Sequence, residues 1–431
     1  MAVSSDDPDG ATALFEIARS AYQAQGDAVA AALVDAQLAD IDFTQGHPPR
    51  AVERTTAALH VVEQGGSQGD IAVLAAQLGR FLIFTGDYQR AAPYLEQALG
   101  IAEELELFET FSQALNSKGV MMLRKLRPLE ARVLLEGALQ TALQNDLPAA
   151  SLRAYNNLIA TLWATDDWQR MFELLHEARA LAQRVGSRTW ELSFTAGSVG
   201  ILYMVGRWDE AVELAEVAGE HAATEFVRGL MTYVARLYCH RGQVERARDV
   251  LTRNADIALS ENPDFAGGYA VMDAMVLDAE GRAEESFQAL MRALSANPTD
   301  GPPPWVQFLA FDASESRTSP DRVREVLDAV EQAAVQRTIR SVRAQRARFR
   351  ARLPEYDALA ELSTAERIFR DLGAPFYIAV TQLEIAEQLI ASGRVDEAAP
   401  RLAEAREIFE RLGALPWLAR CERQPEPSMT A

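Results

Sequence analysis

A short turn signature recurs along this chain and sets the scale on which it can fold. It reads GDYQRAA from Gly86, GRWDEAV from Gly206, GQVERAR from Gly242, GRAEESF from Gly281 and GRVDEAA from Gly393. Weaker versions begin at Gly46, Leu126 and Asp166, so the first five turns stand at 46, 86, 126, 166 and 206, a period of forty. Forty residues are too many for one helix and suit two antiparallel helices with short links, at about 1.5 Å rise per residue. Self-similarity on this scale marks a stack of helix pairs in which each pair buries its apolar face against the next.

The positions around the turn carry a packing code. Five residues on stand Ala51, Ala91, Ala131, Ala211, Ala247, Ser286 and Ala398, with Met171 the exception. Nine on stand Leu95, Leu135, Leu175, Leu251, Leu290 and Leu402, and twelve on stand Ala58, Ala98, Ala138, Ala178, Ala218, Ala293 and Ala405. These offsets share one helical face, so the second helix of each pair presents a small-large-small stripe. Seven residues before the turn, Gly79, Gly119, Ala235, Ala274 and Ala386 let the first helix come close to the second.

This spacing resembles the tetratricopeptide repeat, which places a small residue on helix A and an Ala, a large apolar residue and a second Ala on helix B. The helix pairs here are longer than that family's usual unit, and its repeat-ending proline is absent. The resemblance implies an all-α, right-handed superhelical solenoid of about ten antiparallel helix pairs. Between Gly281 and Gly393 the turn signature lapses for 112 residues, room for three units, with turns expected near Ser319-Pro320 and Pro354. The segments beginning at Leu362 and Leu402 match with an offset of forty. The expected organisation is a disordered N-terminus (1–10), a first array (11–296) opened by a capping helix from Ala11 to Gln25, a proline-rich joint (297–305), a second array (306–423) and a disordered tail (424–431).

From Gly373 onward the sequence also looks like the closing repeats of bacterial signalling proteins in which an ATPase module feeds a class III nucleotide cyclase or a LuxR-type regulator. That resemblance implies a sensory or partner-binding role for the repeats. No phosphate-binding loop accompanies it, since the only lysines, Lys118 and Lys125, follow no glycine-rich loop.

A net charge of -20 repels nucleic acid and anionic membranes at long range. The acidic N-terminus lacks a signal-peptide pattern, and no apolar run reaches membrane-spanning length, so a soluble cytoplasmic protein is expected. Two cysteines, Cys239 and Cys421, make no disulfide framework or zinc cluster and read as buried or idle thiols. The five histidines show no metal-ligand spacing, no Gly-x-Ser-x-Gly elbow is present, and the GGSQGD loop from Gly65 reads as an inter-helix linker. Neither enzyme activity nor a metal or cofactor is expected.

Binding is then the expected role, on a concave face lined by helix A. In the repeat frame, the positions 13, 10, 6, 3 and 2 residues before each turn select Arg80, Phe84, Gln113, Asn116, Arg124, Arg153, Asn156, Trp163, Tyr203 and Arg236. Asn116 and Asn156 stand one repeat apart, and carboxamides can both donate to and accept from the backbone of an extended peptide. The alternatives for these residues are helix-to-helix bonding by the asparagines and core packing by the aromatics. The arginine-rich stretch from Gln336 to Leu353 offers Arg340, Arg343 and Arg350 as anion candidates, with ordinary helix surface the rival reading. Arg346 falls where a small residue is expected, so either the frame slips there or it needs a carboxylate. The leading function is a non-enzymatic, regulatory scaffold that grips a protein or peptide segment. The alternative is a ligand-sensing subunit controlling a separate ATPase, cyclase or transcription factor.

Overall fold

At many links one residue in the left-handed region ends a helix, and at several of them a side-chain cap just after it starts the next. At Gly86 (φ 79°) the chain turns with Gly86 N–H donating to Ile83 O at 3.1 Å and Asp87 N–H to Leu82 O at 2.9 Å. The Asp87 side chain then accepts from Arg90 N–H and starts the next helix. Left-handed residues recur at 26, 46, 86, 106, 126, 146, 166, 186 and 206, a spacing of twenty broken only at Gly66. There the backbone stays extended, and Ser67 and Asp70 close a reciprocal capping box instead.

The computed structural model describes residues 8–220, 224–260, 263–295, 304–316, 319–333 and 339–424. They form an all-α helical repeat solenoid of helices paired consecutively along the chain. Residues 1–7, 296–303 and 425–431, where the disordered N-terminus, most of the proline-rich joint and the tail are expected, lie outside the described residues, as does Arg337. Residues 8–10 already belong to a helix, and Pro304 and Trp305 open one.

Packing divides the chain into two units, one ending at Thr161 and one beginning at Leu162. The first holds α1 (Pro8–Gln25), α2 (Ala28–Thr44), α3 (Pro48–Gly65), α4 (Gln68–Phe84), α5 (Tyr88–Glu104), α6 (Phe108–Arg124), α7 (Pro128–Gln144) and nearly all of α8 (Pro148–Trp163). The expected capping helix is α1, which begins three residues earlier than its sequence bounds. Ala91, Leu95, Ala98, Ala131, Leu135 and Ala138 are fully buried, the small-large-small stripe of α5 and α7. Backbones do approach at the small helix-A positions. A Cβ on Gly79 would stand 2.6 Å from Leu95 Cδ2, and one on Gly119 2.6 Å from Leu135 Cγ.

The second unit runs through α9 (Trp168–Arg184), α10 (Arg188–Met204), α11 (Trp208–Glu220), α12 (Glu225–Thr232), α13 (Val234–His240), α14 (Val244–Arg253), a 3-10 turn (Ala255–Leu259), α15 (Pro263–Ala279) and α16 (Ala283–Ser295). It closes with α17 (Pro304–Asp312), α18 (Pro320–Ala333), α19 (Arg340–Arg350), α20 (Ala358–Leu372), α21 (Pro375–Ala391), α22 (Val395–Leu412) and α23 (Leu415–Glu422). Both expected turns are present, since α18 starts at Pro320 and the α19–α20 link contains Pro354.

This unit also carries packing that no repeat frame contains. Its last helices return to its first ones: Phe376 of α21 lies 5.2 Å from Trp208 and 4.4 Å from His240, centroid to centroid. Arg241 Nε donates to Leu412 O at 3.1 Å, and Trp417 Nε1 donates to His240 Nδ1 at 3.2 Å.

Candidate functional site

A polar-walled cleft lies in the first unit, on the helix-A row. It has a volume of about 380 Å³ and is lined by α2, α4, α6 and α8. Helix pitch explains its composition. Residues spaced i, i+4 and i+7 on a helix share a face, and with turns forty apart the same three places recur on each helix A. On α2 they are Leu33, Gln37 and Asp40, and on α4 Val73, Gln77 and Arg80. α6 contributes Gln113 and Ser117, and α8 contributes Arg153.

Hydrogen bonds run across the helices. Gln77 Nε2 donates to Asp40 Oδ2 at 2.8 Å and to Ala36 O at 2.9 Å, and Arg80 Nη2 donates to Asp40 Oδ1. The Arg80 guanidinium also lies over the Phe43 and Phe81 rings, at 5.0 and 4.8 Å from their centroids. Arg153 Nη1 reaches Gln113 Oε1 at 3.4 Å. Two buried polar atoms of this wall, Gln77 Oε1 and Arg80 Nε, have no hydrogen-bond partner among the described residues. Burial, then the like charge of Arg80, pushes Arg153 down to about 10, against the pull of Asp40 and Glu109. The wall can donate and accept hydrogen bonds while carrying positive charge on both of its arginines.

Of the sequence-selected residues, Arg80, Gln113 and Arg153 come together on this cleft. Phe84, exposed, packs edge-on against Phe43 at 4.9 Å. Asn116 is only 4% exposed, and its Oδ1 accepts from Asn157 Nδ2 at 3.1 Å, so it ties α6 to α8. Asn116 thus bonds a neighbouring helix, the alternative reading of its place. That place, ten residues before the turn, is the i+3 neighbour of the cleft stripe, and Asn156, its equivalent one repeat on, is half-buried. Arg124 is exposed at the end of α6, and Trp163 is half-buried at the end of α8. Sequence reasoning missed Gln77 and Asn157 by that one residue; counting i+4 instead of i+3 from the first groove position finds both.

Tyr203 and Arg236 are not on an open wall. Tyr203 is 1% exposed, stacked on Trp208 and facing Tyr377 with the hydroxyls 3.5 Å apart. Arg236 is 2% exposed, its guanidinium 3.8 Å above the Tyr203 ring. The physical reason is that α21 and α23 of the same unit cover that face.

The arginine helix is mostly paired. Arg340 donates to Asp371 at 3.0 Å, Arg350 donates to Glu331 at 3.0 Å and Arg346 reaches the same Glu331. Arg343 is exposed and has no ion-pair partner among the described residues. Of the anion candidates, Arg340 and Arg350 each already hold a carboxylate. Arg348, 0% exposed, lies between Glu315 at 2.7 Å and Glu384 at 2.8 Å, and Arg352 bonds the same two carboxylates at 2.6 and 2.7 Å.

Among the described residues, no group of three or more His, Cys, Asp or Glu is placed to hold a metal ion, and no helix is long and apolar enough to cross a membrane. Cys239 and Cys421 are buried thiols. His240 is buried and neutral, pushed down to about 3 chiefly by burial, with Arg236 and Arg348 adding to it.

Residues 74–107 match the sequence profile of the tetratricopeptide repeat. No curated protein matches the chain. Among solved structures, human IFIT1, a dimer with PPP-AAAA, is similar over 90% of each chain at 13% identity and a TM-score of 0.48. The apo quorum sensor NprR from B. thuringiensis is similar over 86% of this chain and 99% of its own, at 11% identity and 0.42. A Rap protein complexed with competence and sporulation factor is similar over 80% and 76%, at 13% and 0.41. The likeness of the C-terminal repeats to cyclase-coupled and LuxR-type regulators finds no support in these matches.

Proposed function

We propose that this tetratricopeptide-repeat protein is a non-enzymatic regulatory scaffold that holds a segment of a partner protein or peptide in the cleft of its first unit. One observation carries the reading. Successive A helices present a continuous row of polar side chains with hydrogen-bonding capacity left over, Gln77 Oε1 and Arg80 Nε among it, around a cavity of about 380 Å³. An extended chain crossing that row offers alternating N–H and C=O groups, and buried polar atoms left unpaired are costly unless a partner satisfies them.

In the second unit the helix-A residues Tyr203 and Arg236 are buried, with Tyr203 packed against α21 of the same unit.

A photo-crosslinking residue at position 73 tests the proposal. Val73 lines the cleft and is 47% exposed. In cells it should capture a defined partner segment, and the same label at Val133, exposed on the outer side of α7, should not. Equal capture of the same proteins from both positions would remove the cleft from the function.

A further inference from the structure

The charges on the cleft wall are unevenly satisfied, and the imbalance points to the chemistry of what binds. Asp40 accepts one bond on each oxygen, from Gln77 and from Arg80. Arg153 has one long bond, to Gln113 at 3.4 Å, and no carboxylate within ion-pairing distance among the described residues. Several other half-buried arginines hold carboxylates, although Arg179 and the buried Arg236 show no ion pair among the described residues. Arg54 holds Asp35 and Asp42, Arg248 holds Asp273 and Glu280, and Arg420 holds Glu387. With Asp+Glu at 62 against Lys+Arg at 42, carboxylates are plentiful, so an arginine without one on a cleft wall keeps its capacity for a charged acceptor. Arg80 adds a second positive charge close enough to depress Arg153, which an incoming anion would relieve.

Resting on the scaffold reading above, we infer that the bound segment is acidic: it delivers a carboxylate to Arg153, flanked by Gln113 and Arg80, between α6 and α8. The planar guanidinium can take both carboxylate oxygens, while the Gln113 amide and Gln77 stay with the neighbouring backbone of the segment. The carboxylate has two possible sources, an Asp or Glu side chain or a chain terminus.

Short linear synthetic peptide libraries, one ending in a free acid and one in an amide, distinguish these when selected on the full chain and measured by fluorescence anisotropy. Binders should carry Asp or Glu at one fixed place in both libraries if a side chain is read, or come from the free-acid library alone if the terminus is read. Replacing the acid by its amide should weaken binding about tenfold or more on the native chain and hardly at all on Arg153→Gln, which keeps an amide partner for Gln113. Arg153→Lys should keep the acidic preference at reduced strength, and circular dichroism shows whether either variant folds. Peptides that bind, protect position 73 from labelling and show no acidic requirement overturn the inference and leave the scaffold standing. Recovery of no peptide from either library removes the scaffold reading itself.

Discussion

Leu126 sits in the left-handed region with φ 61°, as do Glu106, Asp146 and Asp166, at places where the other turns use glycine. A side chain there costs about 1–2 kcal/mol relative to glycine, because the Cβ crowds the following carbonyl. Leu126 is largely exposed and earns little packing in return. Leu126→Gly should therefore stabilise the first unit by about 0.5–1 kcal/mol, read as a higher urea midpoint in far-ultraviolet circular dichroism, while Leu126→Ala should not. Asp166 has the same backbone and the opposite expectation. Its carboxylate accepts Ser341 N–H at 2.8 Å and Ser341 O–H at 2.7 Å, capping α19 from a distant part of the sequence. Asp166→Gly relieves the backbone but strips that cap, and a net loss of about 1 kcal/mol is expected from the same measurement. The turn frame was legible in the sequence even where the glycine was missing, because Leu126 and Asp166 kept the period; the partner of Asp166 was not, since Ser341 follows no local rule.

Within α19 the apolar positions Val342, Ala344, Ala347 and Phe349 are buried at helical spacing, and Ala351 and Leu353 beyond its end are too. The sequence did not place the charges. Arg346, out of frame for a small residue, does find a carboxylate in Glu331. Arg348 falls on a side that the helix alone assigns to solvent, and only the arrival of Glu315 after α17 and Glu384 on α21 turns that side into an interior. Burial favours the neutral forms of both glutamates, yet Arg348 and Arg352 hold them below the ordinary carboxylate range. Arg348→Met would leave the two buried carboxylates with only Arg352 to share, and a loss of about 3 kcal/mol is expected in denaturation of the second unit. The sign with pH follows. Both glutamates have lower values folded than unfolded, so their contribution is complete above the unfolded value and disappears as pH falls through the folded one. In Arg348→Met the acid side of the stability curve should lose that slope.

Across the molecule, local periodicity revealed the helix pairs but not the return of α21 and α23 onto α10 and α13, which depends on side chains some 170 positions apart. That return buries an acid with consequences for the whole second unit. Asp312 accepts from Gln345 Nε2 at 2.8 Å and from Tyr377 O–H at 2.5 Å, and faces Arg236, Arg348, Glu315 and Tyr203. Burial pushes it up to about 7, although Arg236, the Tyr377 bond and Arg348 pull the other way and Glu315 adds to the rise. An acid raised on folding has the reverse sign to the glutamates. Between the ordinary value near 4 and about 7 the folded state binds the extra proton, so stability falls as pH rises through this window, by at most about 1.4 kcal/mol per pH unit. Above that window the full cost is present, and below it the cost is gone. All six tryptophans, from Trp163 to Trp417, lie beyond Thr161, so tryptophan fluorescence follows this unit during urea unfolding. Asp312→Asn, which can still accept from one neighbour and donate to the other, should flatten the slope between pH 5 and 7 and raise stability most at pH 8. A native curve that instead rises steadily from pH 5 to 8, with Asp312→Asn running parallel to it, would show that Asp312 stays ionised in the folded unit.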